Sequence, residues 1–184
     1  MSLIDSTVDD AFIKGGDDVV FKAGGKKITF KDAADKEITF SEDDEIKIFD
    51  GGALYDADKT SATLTAKYSS KTAKTFDATV TNIDASVAKK KVNLIATSSD
   101  DTFFYSKGDG KDVIFGFENG DMLNLTDITN ITGKVNAAGT EVYIKADSTN
   151  KAITFKDFTA TEFNISAGGE TGTYRISNGA FVKG

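Results

Sequence analysis

The chain has 184 residues, 22 Lys plus Arg against 29 Asp plus Glu, a net charge of −7, and no His, Cys, Pro or Trp. That composition excludes disulfides, His/Cys zinc sites and imidazole or thiolate catalysts, and its charge opposes nucleic acid and anionic membrane surfaces. With hydrophobic residues at 39% and 14 Phe there is material for a core, so one continuous β structure with two sub-modules is expected.

Met1 to Asp10 has neither a basic start nor a hydrophobic centre, and no apolar run approaches the roughly 20 residues of a membrane helix. Membrane insertion is therefore not expected, and export would use another route: either the chain is cut from a longer precursor or its address lies at the C-terminus. Absence of Cys is compatible with an oxidising exterior.

Apolar residues then recur with a period of two. Ile28 and Phe30, Ile38 and Phe40, Ile46 and Ile48, Leu64 to Tyr68, Phe103 and Tyr105, Leu123 and Leu125, and Ile153 and Phe155 each put their apolar side chains on one face. These are predicted strands. Turns are predicted at Gly24-Gly25, Asp50-Gly51-Gly52, Gly108-Asp109-Gly110 and Asn119-Gly120-Asp121. Helix is limited to one turn at most, over Ala85 to Lys91.

Two stretches are copies of one another. Asp18 to Asp32 returns as Glu141 to Asp157, with Ile-Thr-Phe-Lys-Asp identical at 28–32 and 153–157, and Glu37 to Phe40 matches Glu162 to Ile165. The second copy is two residues longer at the hairpin tip, where insertion costs least. Each copy predicts a three-stranded antiparallel meander with one apolar face, to be covered by stacking in series. The expected fold is all-β: stacked antiparallel β-meanders with a short β-roll or β-solenoid segment, sandwich-like. The predicted division is a first meander at 1–50 and a second module at 51–184.

Between the copies, Lys59 to Lys91 holds seven Lys against Asp77 and Asp84 and is read as a solvated strand face. Acids at Glu42 to Glu45 are read as an exposed turn.

One stretch carries chemistry. Gly108-Asp109-Gly110-Lys111-Asp112-Val113-Ile114 combines glycines that permit a tight turn with carbonyls pointing inward, a carboxylate that offers hard oxygen, and an apolar anchor. Such donors suit calcium.

With Asp101 to Phe104, Phe117 and Gly120 to Leu125, this segment resembles the region that closes a calcium β-roll in repeat-in-toxin proteins of the serralysin and hemolysin type. Ile83 to Ser86 with Val92 to Leu94 is similar to the opening segment of those modules. The resemblance implies a degenerate calcium turn over 97–125, the second copy at 135–166 and a C-terminal tail at 167–184. It implies metal donors at Asp101, Gly108, Asp109, Gly110, Asp112 and Asp121. A complete roll stacks several nonapeptides, whereas Thr97 to Asp101 keeps the Asp and lacks both glycines, so at most one or two weakly held Ca2+ ions are expected. The tail from Thr171 to Gly184 has no acid and is distantly similar to an uncleaved type I export signal.

The expected function is a non-catalytic structural or adhesive module of a secreted or cell-surface bacterial protein, its partners being calcium, other copies of the module or a surface receptor or glycan. Alternatives are the C-terminal export and folding part of a secreted protease or lipase, and a carbohydrate-binding module. The last is ranked third because there is no Trp and only five Tyr, with Tyr105 and Tyr143 in strand-like runs. A hydrolase would need a carboxylate pair such as Asp109 with Asp121, and their polar surroundings predict that neither holds a proton near neutral pH.

Overall fold

The computed structural model describes residues 7–69, 71–138, 141–147, 151–177 and 180–184, and among these it is all β. The predicted hairpin tip at 148–150, the tail residues 178–179 and the extreme N-terminus at 1–6 lie outside the described residues. Short runs of β-branched and aromatic residues alternating with polar ones set the strand period, and glycines punctuate it.

The first six strands are β1 (Val8–Lys14), β2 (Asp18–Ala23), β3 (Lys26–Phe30), β4 (Ile38–Glu42), β5 (Glu45–Asp50) and β6 (Ala53–Asp56). β1, β2 and β3 form a separate antiparallel sheet, while β4, β5 and β6 begin a ten-stranded one. Two-residue loops join β2 to β3 at Gly24-Gly25, β4 to β5 at Asp43-Asp44 and β5 to β6 at Gly51-Gly52, all six residues having positive φ. Paired positive φ values match the twist of tight hairpins. The acids of 42–45 thus sit at a hairpin tip, where residues 43–45 are exposed as expected but Glu42 is buried and accepts the Val8 N–H.

A different pattern follows. Strands β7 (Ser61–Leu64), β8 (Lys74–Thr75), β9 (Asn82–Asp84), β10 (Asn93–Ile95), β11 (Thr102–Ser106), β12 (Asp112–Phe115) and β13 (Met122–Thr126) alternate between two sheets. Each pairs in parallel with the strand two places along: β9 with β7 and β11, β11 with β13, and β10 with β8 and β12. Asn82 pairs with Thr102, and Thr102 with Met122, so the chain advances one coil every 20 residues. This is a two-sheet parallel β-roll.

The chain closes with β14 (Ile131–Val135), β15 (Glu141–Ala146), β16 (Lys151–Lys156), β17 (Glu162–Ala167), β18 (Glu170–Ser177) and β19 (Ala180–Lys183). Strand β16 docks in parallel on β12, and β17 docks in parallel on β13. The remaining four extend the two sheets outward as antiparallel strands.

The two copies have the same conformation. Val19 pairs with Phe30 as Val142 pairs with Phe155, and Ile38 pairs with Phe49 as Phe163 pairs with Tyr174. Asp32 and Asp157 both have φ of 50°. The third strand differs from the predicted meander, because β4 and β17 lie in a different sheet from β3 and β16. A connection of about six residues, bent at an Asp with left-handed backbone, suffices to carry the chain across the roughly 10 Å between packed sheets.

Two apolar clusters result. Ala11, Val19, Phe21, Ala33, Phe40 and Phe49 form the smaller one, in which Phe21 meets Phe30, Phe40 and Phe49 edge-on at 5.1 to 5.6 Å. The larger cluster runs through the roll and the second copy, with Phe117 packed on Phe155 at 4.6 Å and on Phe163 at 5.5 Å. The copies therefore belong to two cores joined by one continuous sheet.

Candidate functional site

The acidic turns of the roll lie at its two edges. Chain passing from β10 to β11 and from β12 to β13 makes the corners that hold Asp101 and Asp121; chain passing from β11 to β12 makes the opposite corner, with Gly108, Asp109, Gly110 and Asp112. The five residues of β11 separate the two groups by about 17 Å. The six predicted metal donors are thus divided between opposite edges. The Asp109 and Asp121 pair is likewise not a pair in space.

All four aspartates are buried, with at most 3% exposure. Their oxygens face backbone amides. The Asp101 N–H donates to Asp121 Oδ1 at 2.9 Å, and the Glu118 N–H donates to Asp121 Oδ2 at 2.9 Å. Asp101 in turn accepts the Thr97 N–H at 2.6 Å and the Thr97 hydroxyl at 2.9 Å. On the other edge Asp112 Oδ1 accepts the Val92 N–H at 3.0 Å, and Asp109 accepts the Ser106 N–H.

Asp121 to Asp101 and Asp112 to Val92 both span 20 residues, one coil of the roll. Each carboxylate therefore staples its own coil to the preceding one, at a corner where the chain leaves the sheet and an amide would otherwise be orphaned. Met122 N–H to Asp101 O at 2.7 Å and Val113 N–H to Val92 O at 3.0 Å continue the ladder around the same corners.

Burial changes the acidity of these groups. It pushes Asp112 up to about 7, with nearby Asp109 adding repulsion, and it pushes Asp109 and Asp121 up to about 6. Asp101 is raised for the same reason. The polar surroundings expected of Asp109 and Asp121 are overturned, because the corners fold inward against the core; values of about 6 still leave both mainly ionised at neutral pH. Amide donors oppose the shift without cancelling it.

The glycines have separate tasks. Gly110 has φ of 124°, and a Cβ there would stand 2.8 Å from the Lys90 carbonyl carbon, so the previous coil passes directly behind it. Its carbonyl accepts the buried Tyr105 hydroxyl at 2.9 Å. Gly108 has φ of 95° and open space around its Cβ position, so it serves the turn alone. Among the described residues, no group of three or more acidic side chains is placed to hold one metal ion.

The Lys-rich stretch disperses over several surroundings. Lys59 pairs with Glu37 at 2.6 Å, Lys67 caps the Phe12 ring at 3.6 Å, and Lys74 lies over Tyr55 and Phe76 with its ammonium 3.3 Å from Gly51 O. Lys71 and Lys89 to Lys91 are exposed.

The coil-to-coil staple is the site that motif reading missed. Its trace in the sequence is weak but present: Ile83, Phe103 and Leu123, Leu94 and Ile114, and Asp101 and Asp121 all recur at intervals of 20. Comparison of the chain with protein-family models, with curated proteins and with solved structures gave no match.

Proposed function

We propose that the chain is a non-catalytic structural module of a secreted or cell-surface protein, in which a short parallel β-roll holds two copies of a hairpin unit at a fixed separation. The observation that carries this reading is the pair of coil-to-coil hydrogen bonds, Asp101 N–H to the Asp121 carboxylate and Val92 N–H to the Asp112 carboxylate, which let the roll close on backbone amides. A calcium-built roll commits such carboxylates to metal; here their oxygens have amide partners. The resemblance of residues 101–125 to repeat-in-toxin segments supports the extracellular setting.

Calcium is proposed as a weak ligand only, at the corner formed by Gly108 to Asp112. Two carboxyls held up to about 6 and about 7 are close enough there to repel one another, and a divalent ion would relieve that repulsion. Calorimetric titration of the intact chain with calcium, with Asp112→Ala as control, tests both parts. Weak heat lost in the variant, together with an unchanged circular dichroism spectrum in chelator, is expected. Loss of β structure in chelator would overturn a self-supporting module; no heat up to millimolar calcium would remove the ion from the proposal.

A further inference from the structure

Along the roll, the ten-stranded sheet has an outer face, opposite the side on which Ile83, Phe103 and Leu123 enter the core. On that face Thr63 stands beside Asp84, Asp84 beside Phe104 and Phe104 beside Asn124, one residue from each of β7, β9, β11 and β13. Ser61, Asn82 and Thr102 form a second row alongside, again in register. Parallel pairing sets the neighbours in a row about 4.8 Å apart. All seven side chains are partly exposed, and Ser61, Thr63, Asn82, Asp84 and Phe104 line a shallow groove of about 410 Å³. Charged residues make up 28% of the sequence, yet Asp84 is the one charge among the seven. The facing sheet turns Lys134, Glu141, Lys145 and Lys156 outward instead. Asp84 is held by one oxygen, which accepts the Ser86 N–H at 2.8 Å. Among the described residues, no other side chain of the seven makes a hydrogen bond.

We infer that this groove and the rows that continue it bind an uncharged polysaccharide lying across the strands. Hydroxyl and carboxamide groups cost less to dehydrate than charges, and each hydroxyl both donates and accepts, as the hydroxyls of a sugar require. Phe104 supplies an apolar ring for the C–H face of a pyranose, flanked by the Asp84 carboxylate on one side and the Asn124 carboxamide on the other. A carboxylate accepts hydroxyl hydrogens in charge-assisted bonds, and beside the ring it orients the stacked sugar. The same carboxylate repels uronate and sulfate groups, so the ligand is neutral. Repetition at strand spacing, about 14 Å from β7 to β13, offers successive sugars similar contacts in place of one deep pocket. Such a platform needs only an aromatic face, which is why counting Trp and Tyr passes over it. This inference adds a ligand to the structural role proposed above and does not depend on calcium, because the acidic corners lie at the strand ends and the rows lie on their face.

Affinity electrophoresis of the intact chain in native gels tests it, with mixed-linkage β-glucan, galactomannan, arabinoxylan or dextran cast in the gel and alginate as the acidic counterpart. Chelator is present throughout, and each protein is compared with itself in a plain gel. Retardation by at least one neutral polymer is expected, with none in alginate. Phe104→Ala is expected to weaken that binding about tenfold or more, and Thr102→Lys, which places a charge in the second row, to do the same. Thr154→Lys, on the outer face of the other sheet, is expected to leave it unchanged. Circular dichroism shows that each variant is folded, and where Phe104→Ala is not, Thr102→Lys and Asn82→Lys decide. Unaltered mobility in every neutral polymer would overturn the proposal. So would retardation that the substitutions in the two rows leave intact, or retardation that is stronger in alginate.

Discussion

Asp121 is the residue on which the roll's corner turns. It answers two amides from two coils, Asp101 N–H and Glu118 N–H, with no exposure to water. Leaving a buried amide without an acceptor costs about 1–3 kcal/mol. Asp121→Ala orphans two, so a loss of about 2–5 kcal/mol is expected in urea unfolding, with calcium present or absent. Asp121→Asn keeps one acceptor but turns an NH2 toward the other amide, and about half that loss is expected. A purely metal-binding Asp would instead show its loss only when calcium is supplied.

At the same scale the two turn glycines separate. Gly110→Ala must hold φ of 124° and also push a methyl into the Lys90 backbone, while Gly108→Ala carries the strained φ of 95° alone. A loss of about 1–2 kcal/mol is expected at Gly108, and one larger by at least about 1 kcal/mol at Gly110. Equal midpoints for the two variants in chemical unfolding would show that the Lys90 backbone gives way freely.

Among elements, β3 and β16 offer a comparison that sequence alone cannot make. Both read Ile-Thr-Phe-Lys, and the strand calls on the core differently: Phe155 lies among Phe117 and Phe163, while Phe30 touches Phe21 from a half-open edge. Phe155→Ala is expected to cost about 3–5 kcal/mol, as for a fully buried ring, and Phe30→Ala about half as much. Urea midpoints at matched slope decide the ranking, and a larger loss at Phe30 would place the stabilising weight in the smaller core.

The all-β class, the hairpins and the duplication were legible because each rests on local pattern: period-two runs such as Phe103 and Tyr105, glycine pairs at 24–25 and 51–52, and the repeated 28–32 pentapeptide. What was not legible is which sheet a strand joins. A link of five to seven residues can fold back beside its strand or cross to the facing sheet, and only the burial of both faces decides between them. The 20-residue coil also stayed hidden, because parallel rungs require a matching apolar position rather than a matching residue: Ile83, Phe103 and Leu123 satisfy one interior layer with three side chains. For the same reason the aspartates at 101–121 could be recognised as turn residues, while their burial depended on corners that close only once the coils stack.

Across the whole molecule, ten strands in one sheet at about 4.8 Å per step span about 43 Å, and the buried aspartates run along the middle of that length at its two edges. Their raised acidity links folding to pH with a definite sign. Near pH 7 the folded chain begins to take up protons at Asp112 and then, near 6, at Asp109 and Asp121, while the unfolded chain holds these groups at the ordinary carboxylate value of 3.8 and takes up none. The folded state thus binds more protons between about pH 7 and 4, and stability rises as pH falls through that window, by up to about 1.4 kcal/mol per pH unit for each group titrating. Surface acids act oppositely and later. Asp18, paired with Lys31 at 2.7 Å, and Asp56, bonded by Thr60 and Ser61, are held below 3.8, so their contribution is lost only as pH drops past that value. A maximum in thermal midpoint near pH 4–5 is therefore expected, with a decline toward pH 8 that Asp112→Asn makes shallower. A midpoint that climbs steadily from pH 5 to 8 would mean that these carboxylates are ionised and satisfied in the folded roll.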